Sequence, residues 1–259
     1  MSSGAMSIET AEGMRPMLVR AHLAGGVALD AQWGTALDGL LASVVWAARK
    51  GQLHDRGIAT SPLADTPDPQ DMPLPLARCR TPEGDWHWAA TCALPEGVVG
   101  DGTEVRYWTG RLDLRHAEQV ASDVPMHLYT HQGRWRNRIM PLIITTCRSV
   151  TWRAVGDADV VRELLETVAA IGKKRSQGEG QVLRWEVQAL SDVSVWEAAH
   201  LHADGTLGRP TPPGCLSAPA GRPPHGGLGR AGIRPPYQHP SRQRELMLPP
   251  PLSGLTDEG

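Results

Sequence analysis

The stretch DADVVRELLETVAAIGKKRSQGEGQVLRWEV, residues 157–187, reads as a helix, a basic glycine loop and a strand in succession. Asp157 is a short acceptor side chain of the kind that caps first-turn amides, so a helix starts here. Val160, Val161, Leu164, Leu165, Val168 and Ile171 then recur at helical spacing and form one apolar stripe. Gly172 reads as the C′ residue that ends this helix. Lys173, Lys174, Arg175, Ser176, Gln177, Gly178, Glu179 and Gly180 make the loop, and Val182–Val187 alternates as a strand.

The order of these elements excludes one reading of the loop. Phosphate cradles of nucleotide-binding proteins follow a strand and open a helix, so that helix N-terminal amides face the phosphate. Here the loop follows a helix, beside the negative end of its dipole. Two readings stay open on the residues alone. The loop is either a plain basic C-terminal turn, or a place where main-chain amides, freed of Cβ obstruction, meet a polynucleotide.

Outward from this stretch, Arg15–Leu23 alternates Met17, Val19 and Ala21 with Leu18, Arg20 and His22, which predicts a strand. Thr35 offers an N-cap with Asp38 as a capping-box partner. Leu37, Leu40, Leu41, Val44, Val45 and Ala48 follow at helical spacing until Gly51. Prolines at 62, 67, 69, 73, 75 and 82 mark an extended loop. Strands are expected over Asp85–Ala93, Glu104–Trp108, Ile139–Thr146 and Ser149–Val155, with a polar excursion over Gly110–Asn137. From Gly208 onward lie more than half of the 22 prolines, a composition that cannot bury enough apolar surface to fold alone. That tail either drapes over the domain or stays disordered.

The sequence of elements is the βαββαβ split unit, and the expected class is therefore α+β, ferredoxin-like (RRM-like), with the open sheet face a platform for single-stranded RNA. The expected organisation is a disordered start over 1–13 and a domain over 14–207. A hairpin is inserted around 94–138, and a Pro/Gly/Arg-rich extension covers 208–259.

Net charge is −2, so any nucleic-acid site must be a local basic patch. Cys79, Cys92, Cys147 and Cys215 lie far apart without a CxxC pair, which argues against a zinc site or a disulfide scaffold and suits a reducing cytoplasm. No cofactor or metal is expected. No apolar run reaches membrane-spanning length, and no signal-peptide core is present, so membrane association is not expected.

Ile171 to Val182, between helix and strand, resembles the glycine-rich loop of the RAMP superfamily of CRISPR proteins. Ala36-Leu37-Asp38-Gly39-Leu40-Leu41-Ala42 is similar to that superfamily's "LDxLLA" opening. Gly232-Ile233-Arg234-Pro235-Pro236-Tyr237 with Pro240-Ser241-Arg242 is similar to the C-terminal segment of the type IV (Csf) group, and there to the subunit that caps the crRNA 5′ handle. The resemblance implies a RAMP fold with a thumb-like β-hairpin. It also implies crRNA binding through Lys173, Lys174, Arg175, Ser176, Gln177, Gly178 and Gly180, with Arg234 and Tyr237 near the RNA. Backbone subunits, the large subunit and, through the complex, target DNA would be its partners, in the cytoplasm.

Arg134, Arg136 and Arg138 surround Trp135, a set that can clamp phosphates while the indole stacks on a base or wedges into a duplex. The alternative is a solvated basic hairpin tip. His22, His54, His127 and His131, with Tyr129, are candidates for metal-independent RNA cleavage, but no spacing ties two of them into an acid–base pair. No catalytic residue is assigned; a crRNA-processing endoribonuclease is the alternative function. Asp65/Asp68 and Asp157/Asp159 read as turn and cap chemistry.

Overall fold

The structure is a computed structural model that describes residues 6–29, 31–58, 69–81, 83–110, 136–216 and 222–252. Two strands open it, β1 (Ser7–Glu9) and β2 (Arg15–Leu23). β1 falls in the stretch expected to be frayed, and it pairs with a later strand. Along β2, Met17, Val19, Ala21 and Leu23 are buried while Leu18, Arg20 and His22 turn to the other face, the period-two pattern of a strand.

Helix α1 (Leu37–Asp55) buries Leu37, Leu40 and Leu41. Its N-cap is Ala36, without a side-chain cap, in place of Thr35. The Thr35 carbonyl is occupied instead by the Trp152 indole at 2.8 Å and the Ala93 amide at 2.9 Å. Asp38 does not close a capping box; it is fully buried. Gly51 does not end the helix either, since an open-sided glycine costs only about 1 kcal/mol and the flanking turns carry it through.

Strands β3 (Arg78–Arg80) and β4 (Trp86–Trp88) join β1 in a three-stranded sheet of order β1-β3-β4. The strand expected over 85–93 therefore stops at Trp88. Beyond it the Ala89 amide still bonds the Ala77 carbonyl in register, but the Ala77 amide turns to Val155 and the Thr91 amide to Arg153, which ends the ladder. The long strands β5 (Leu94–Gly110) and β6 (Arg138–Gly156) pair antiparallel, and β6 runs through both segments expected as separate strands. Their outer halves project as a two-stranded ribbon, so the hairpin is an extension of two sheet strands.

Helix α2 (Ala158–Glu166) is capped as its sequence indicates, with Asp157 accepting from the amides of Asp159 and Val160 at 3.1 and 3.2 Å. It ends at Glu166, before Gly172. Val168 and Ile171 remain buried, but from an irregular connection that satisfies the stripe without helical geometry. Strand β7 (Val182–Ala189) and helix α3 (Val195–His200) follow, the latter opened by a Ser194/Glu197 capping box.

The main sheet has the order β5-β6-β2-β7, antiparallel throughout. One face packs on α1 and α2 through a core that includes Met17, Val19, Leu41, Trp152, Val161 and Leu165. Helix α3 covers part of the opposite face, where Ala198 and Ala199 meet Val155. The architecture is α+β, with antiparallel sheets and three α-helices among the described residues. No helix among the described residues is long and apolar enough to cross a membrane.

The proline-rich region contains ordered structure in its described part. Strands β8 (Gly227–Gly232) and β9 (Gln243–Leu248) form a hairpin that buries Ile233 and Leu246. Its anchor is Arg209, 1% exposed. One guanidinium nitrogen donates to the Trp88 and Ala90 carbonyls, and the other to Ile233 at 3.0 Å. Asp38 lies 3.7 Å away and accepts from the Tyr237 hydroxyl at 2.6 Å. A chain too polar to fold alone thus folds by sharing one buried charge pair with α1.

Candidate nucleic-acid interface

The glycine loop is pinched at its base. The Ile171 amide donates to the Gly180 carbonyl, and the Val182 amide to Ala169, each at 2.9 Å. Gly172 has φ +78°, and a Cβ there would lie 2.3 Å from the Ala28 carbonyl oxygen, which also accepts from the Lys173 amide at 2.8 Å. Gly180 is tighter still, with φ +65° and 1.9 Å to the Ile171 carbonyl. Between these points Lys174 takes the left-handed conformation, and Arg175–Gln177 make one 3-10 turn that closes on Gly178.

The loop is docked on the β5–β6 ribbon. The Lys174 ammonium sits 3.2 Å from the centre of the Trp108 ring, a cation–π contact. Arg106 bonds Glu179 at 2.7 Å and Glu104 at 2.9 Å. Its hydrogen bond to Glu104 holds that carboxyl below the ordinary range. Glu179 is therefore balanced locally, and the loop's outward charge is basic. Lys173, Arg175, Ser176, Gln177 and Gly178 are exposed, and Lys173 and Arg175 make no ion pair among the described residues.

The other flank of the loop borders a cleft of about 1060 Å3 between α1 and the β8–β9 hairpin. Its basic lining residues are Arg49, Lys173, Arg175, Arg209 and Arg230, and no acidic residue lines it among those described. Arg209 is balanced by Asp38, which leaves four outward cations. Trp33, Trp46 and Tyr237 add aromatic surface. A cleft rich in cations and aromatic faces suits a polyanion that carries bases.

The remaining sequence candidates divide. Arg136 and Arg138 are exposed at the outer end of the ribbon. Arg138 opposes Gly110, two positions beyond the Trp108–Met140 pair, or about 7 Å at the strand rise. Arg134 and Trp135, like His127, Tyr129 and His131, lie outside the described residues. Arg234 packs over Trp86 at 4.3 Å and pairs with Asp71 at 3.1 Å, so its charge is used to dock the hairpin. Tyr237 lends one ring edge to the cleft while its hydroxyl holds Asp38.

The open sheet face differs from the expected stacking platform. Its central positions are Leu18, Arg20, His22, Ser149, Thr151 and Arg153, with no Trp, Tyr or Phe ring. Arg20 pairs with Glu96 at 3.1 Å and Glu186 at 3.7 Å, and His22 meets Glu186 at 3.0 Å. The hydrogen bond from His22 is the main reason the Glu186 carboxyl sits below its usual range. Those pairs occupy Arg20 and His22, while Arg153 and Arg184 on that face make no ion pair among the described residues.

Sequence reasoning missed Trp33, Trp46, Arg49 and the Arg106/Trp108 clasp. Trp46 and Arg49 were findable as an i, i+3 pair on α1. The others needed the tertiary fold. It also did not bring together Cys79, His87, His200 and Cys215, four buried residues whose potential ligand atoms lie within 4.8 Å of one another.

The chain has no match among curated proteins. A protein-family comparison does identify it. With residues 15–238 matched, a span that holds the glycine loop, the ribbon and Tyr237, the chain belongs to the CRISPR type IV associated protein Csf3 family.

Proposed function

We propose that this type IV CRISPR subunit binds guide RNA directly, capping the crRNA 5′ handle and anchoring the row of backbone subunits that recognises target DNA. The observation that carries the reading is the cleft. Lys173 and Arg175 line a basic concavity together with Trp33 and Trp46, with no acidic residue among its described lining. Phosphates would lie against the loop amides and cations, with bases on the aromatic faces. The strand order β5-β6-β2-β7, with both major helices on one face, supports a ferredoxin-like βαββαβ unit and hence the RAMP reading. Lys174 serves as the clasp to the ribbon, so the loop's phosphate contacts fall to Lys173 and Arg175.

The ribbon is the proposed thumb. Val105, Tyr107, Ile139 and Ile143 are exposed on it, Tyr107 by 71% and Ile139 by 72%, which suits contact with the adjoining backbone subunit. Binding of synthetic cognate repeat RNA to the purified chain tests the proposal. A Lys173→Ala/Arg175→Ala variant is expected to bind more weakly and with a shallower salt dependence.

A second reading, metal-independent cleavage of repeat RNA, is favoured by the His22–Glu186 contact beside Arg20, the only His–carboxylate contact among the described residues that joins two strands. Incubation without metal, scored on a denaturing gel, decides it. Cleavage abolished by His22→Ala supports an enzyme, and intact RNA excludes this reading.

A further inference from the structure

Four residues from distant parts of the chain converge beneath the second face of the sheet. Cys79 on β3 and His87 on β4 are direct cross-strand partners. His200 is the last residue of α3, and Cys215 sits in the 3-10 turn Pro213–Leu216. All four are buried, with one potential ligand atom of each within 4.8 Å of the others. The two sulfurs are 3.6 Å apart. A tetrahedral zinc ion with Zn–S bonds of about 2.3 Å holds its sulfurs about 3.8 Å apart, whereas a disulfide needs about 2.05 Å.

The histidines settle the direction of their lone pairs. His87 Nδ1 contacts the Trp88 carbonyl at 3.0 Å, and His200 Nδ1 the Trp196 carbonyl at 2.8 Å. A carbonyl only accepts, so each Nδ1 carries the proton and each Nε2 of the neutral ring presents a bare lone pair. Both Nε2 atoms are buried without a hydrogen-bond partner. This is the arrangement metal-binding histidines adopt, one nitrogen oriented by a carbonyl and the other free for the ion. Around them, Trp196 stacks on the His200 ring with centroids 5.2 Å apart, and its indole donates to the Cys215 carbonyl at 3.0 Å.

We infer that Cys79, His87, His200 and Cys215 form a structural zinc site. Two thiolates, two neutral imidazoles and one divalent ion sum to zero charge, which lets the group be buried without a further counter-ion. Sulfur and imidazole select zinc over magnesium or calcium, which take oxygen ligands. Four protein ligands leave no position for water, so the site holds structure and performs no chemistry. Its consequence is architectural: one ion ties the β1-β3-β4 sheet to α3 and to the start of the C-terminal region whose hairpin walls the cleft.

The experiment is metal analysis of the full-length wild-type chain purified under reducing conditions, followed by exchange of its metal for cobalt(II). About one zinc per chain is expected, with a cobalt spectrum showing thiolate charge transfer and tetrahedral visible bands. Cys79→Ser/Cys215→Ser is expected to lose both signals. Because that variant can fail to fold, the wild-type cobalt spectrum is the deciding measurement. A wild-type chain that is folded by circular dichroism, carries no zinc and gives no thiolate–cobalt absorption overturns the site. So does a Cys79–Cys215 disulfide found by mass spectrometry in the reduced preparation.

Discussion

Gly180→Ala and Gly178→Ala separate the shape of the glycine loop from its charge. Both glycines have positive φ, +65° and +91°, so alanine at either position meets the left-handed penalty of about 1–2 kcal/mol. They differ in space. Around Gly178 nothing lies within 4 Å of a built Cβ, whereas at Gly180 the Cβ falls 1.9 Å from the Ile171 carbonyl oxygen. Backbone must move there, and the Ile171 amide loses its 2.9 Å bond to the Gly180 carbonyl. A buried amide left unpaired costs a further 1–3 kcal/mol or so. Gly180→Ala should therefore destabilise the chain by about 3 kcal/mol and Gly178→Ala by about 1–2 kcal/mol. Urea denaturation at unchanged m-value measures both. Equal losses would mean that the pinch between Ile171 and Gly180 does not set the loop, and would refute the argument.

Two further outcomes follow from buried groups. Arg209→Met strands Asp38 and three carbonyls and should cost about 3–5 kcal/mol, with Asp38→Asn in the same chain restoring part of it; a loss under about 1 kcal/mol contradicts the anchor role. Burial pushes His202 down to about 4, against about 6.5 unfolded. The unfolded chain therefore binds the extra proton between those values. The stability from a neutral His202 is complete above pH 6.5 or so and falls by up to about 3 kcal/mol as pH drops to about 4. Thermal melts across that range should show a flatter profile for His202→Gln, and identical profiles contradict it.

How much of this was legible depends on how local each signal was. The strand Arg15–Leu23 is read to the residue, because alternation of Met17, Val19 and Ala21 is a property of the chain itself. Asp157 caps α2 as read, since a cap needs only its own next three residues. Thr35 and Asp38 fit a cap equally well on paper, yet Asp38 pairs with Arg209 and Tyr237, about 170 and 200 residues away. No local rule weighs that competition. Gly172 was read as the end of a helix, but its positive φ serves contact with Ala28. The basic loop was visible, while its division into a clasp at Lys174 and free cations at Lys173 and Arg175 depends on where Trp108 lies. The Cys/His cluster was invisible because its ligands come from four separate elements, and motif spacing detects only ligands that share one.

The most direct test is the salt dependence of RNA binding. Affinity of the full-length chain for synthetic cognate repeat RNA is measured across a range of salt, for wild type, Lys174→Ala and Lys173→Ala/Arg175→Ala. Each lost phosphate contact on single-stranded RNA lowers the slope of log K against log salt by about 0.7. The double variant should therefore flatten the slope by about 1.4, with weaker binding throughout, while Lys174→Ala should change the slope far less. Equal affinity and equal slope for wild type and the double variant would contradict the assignment of the glycine loop to guide RNA.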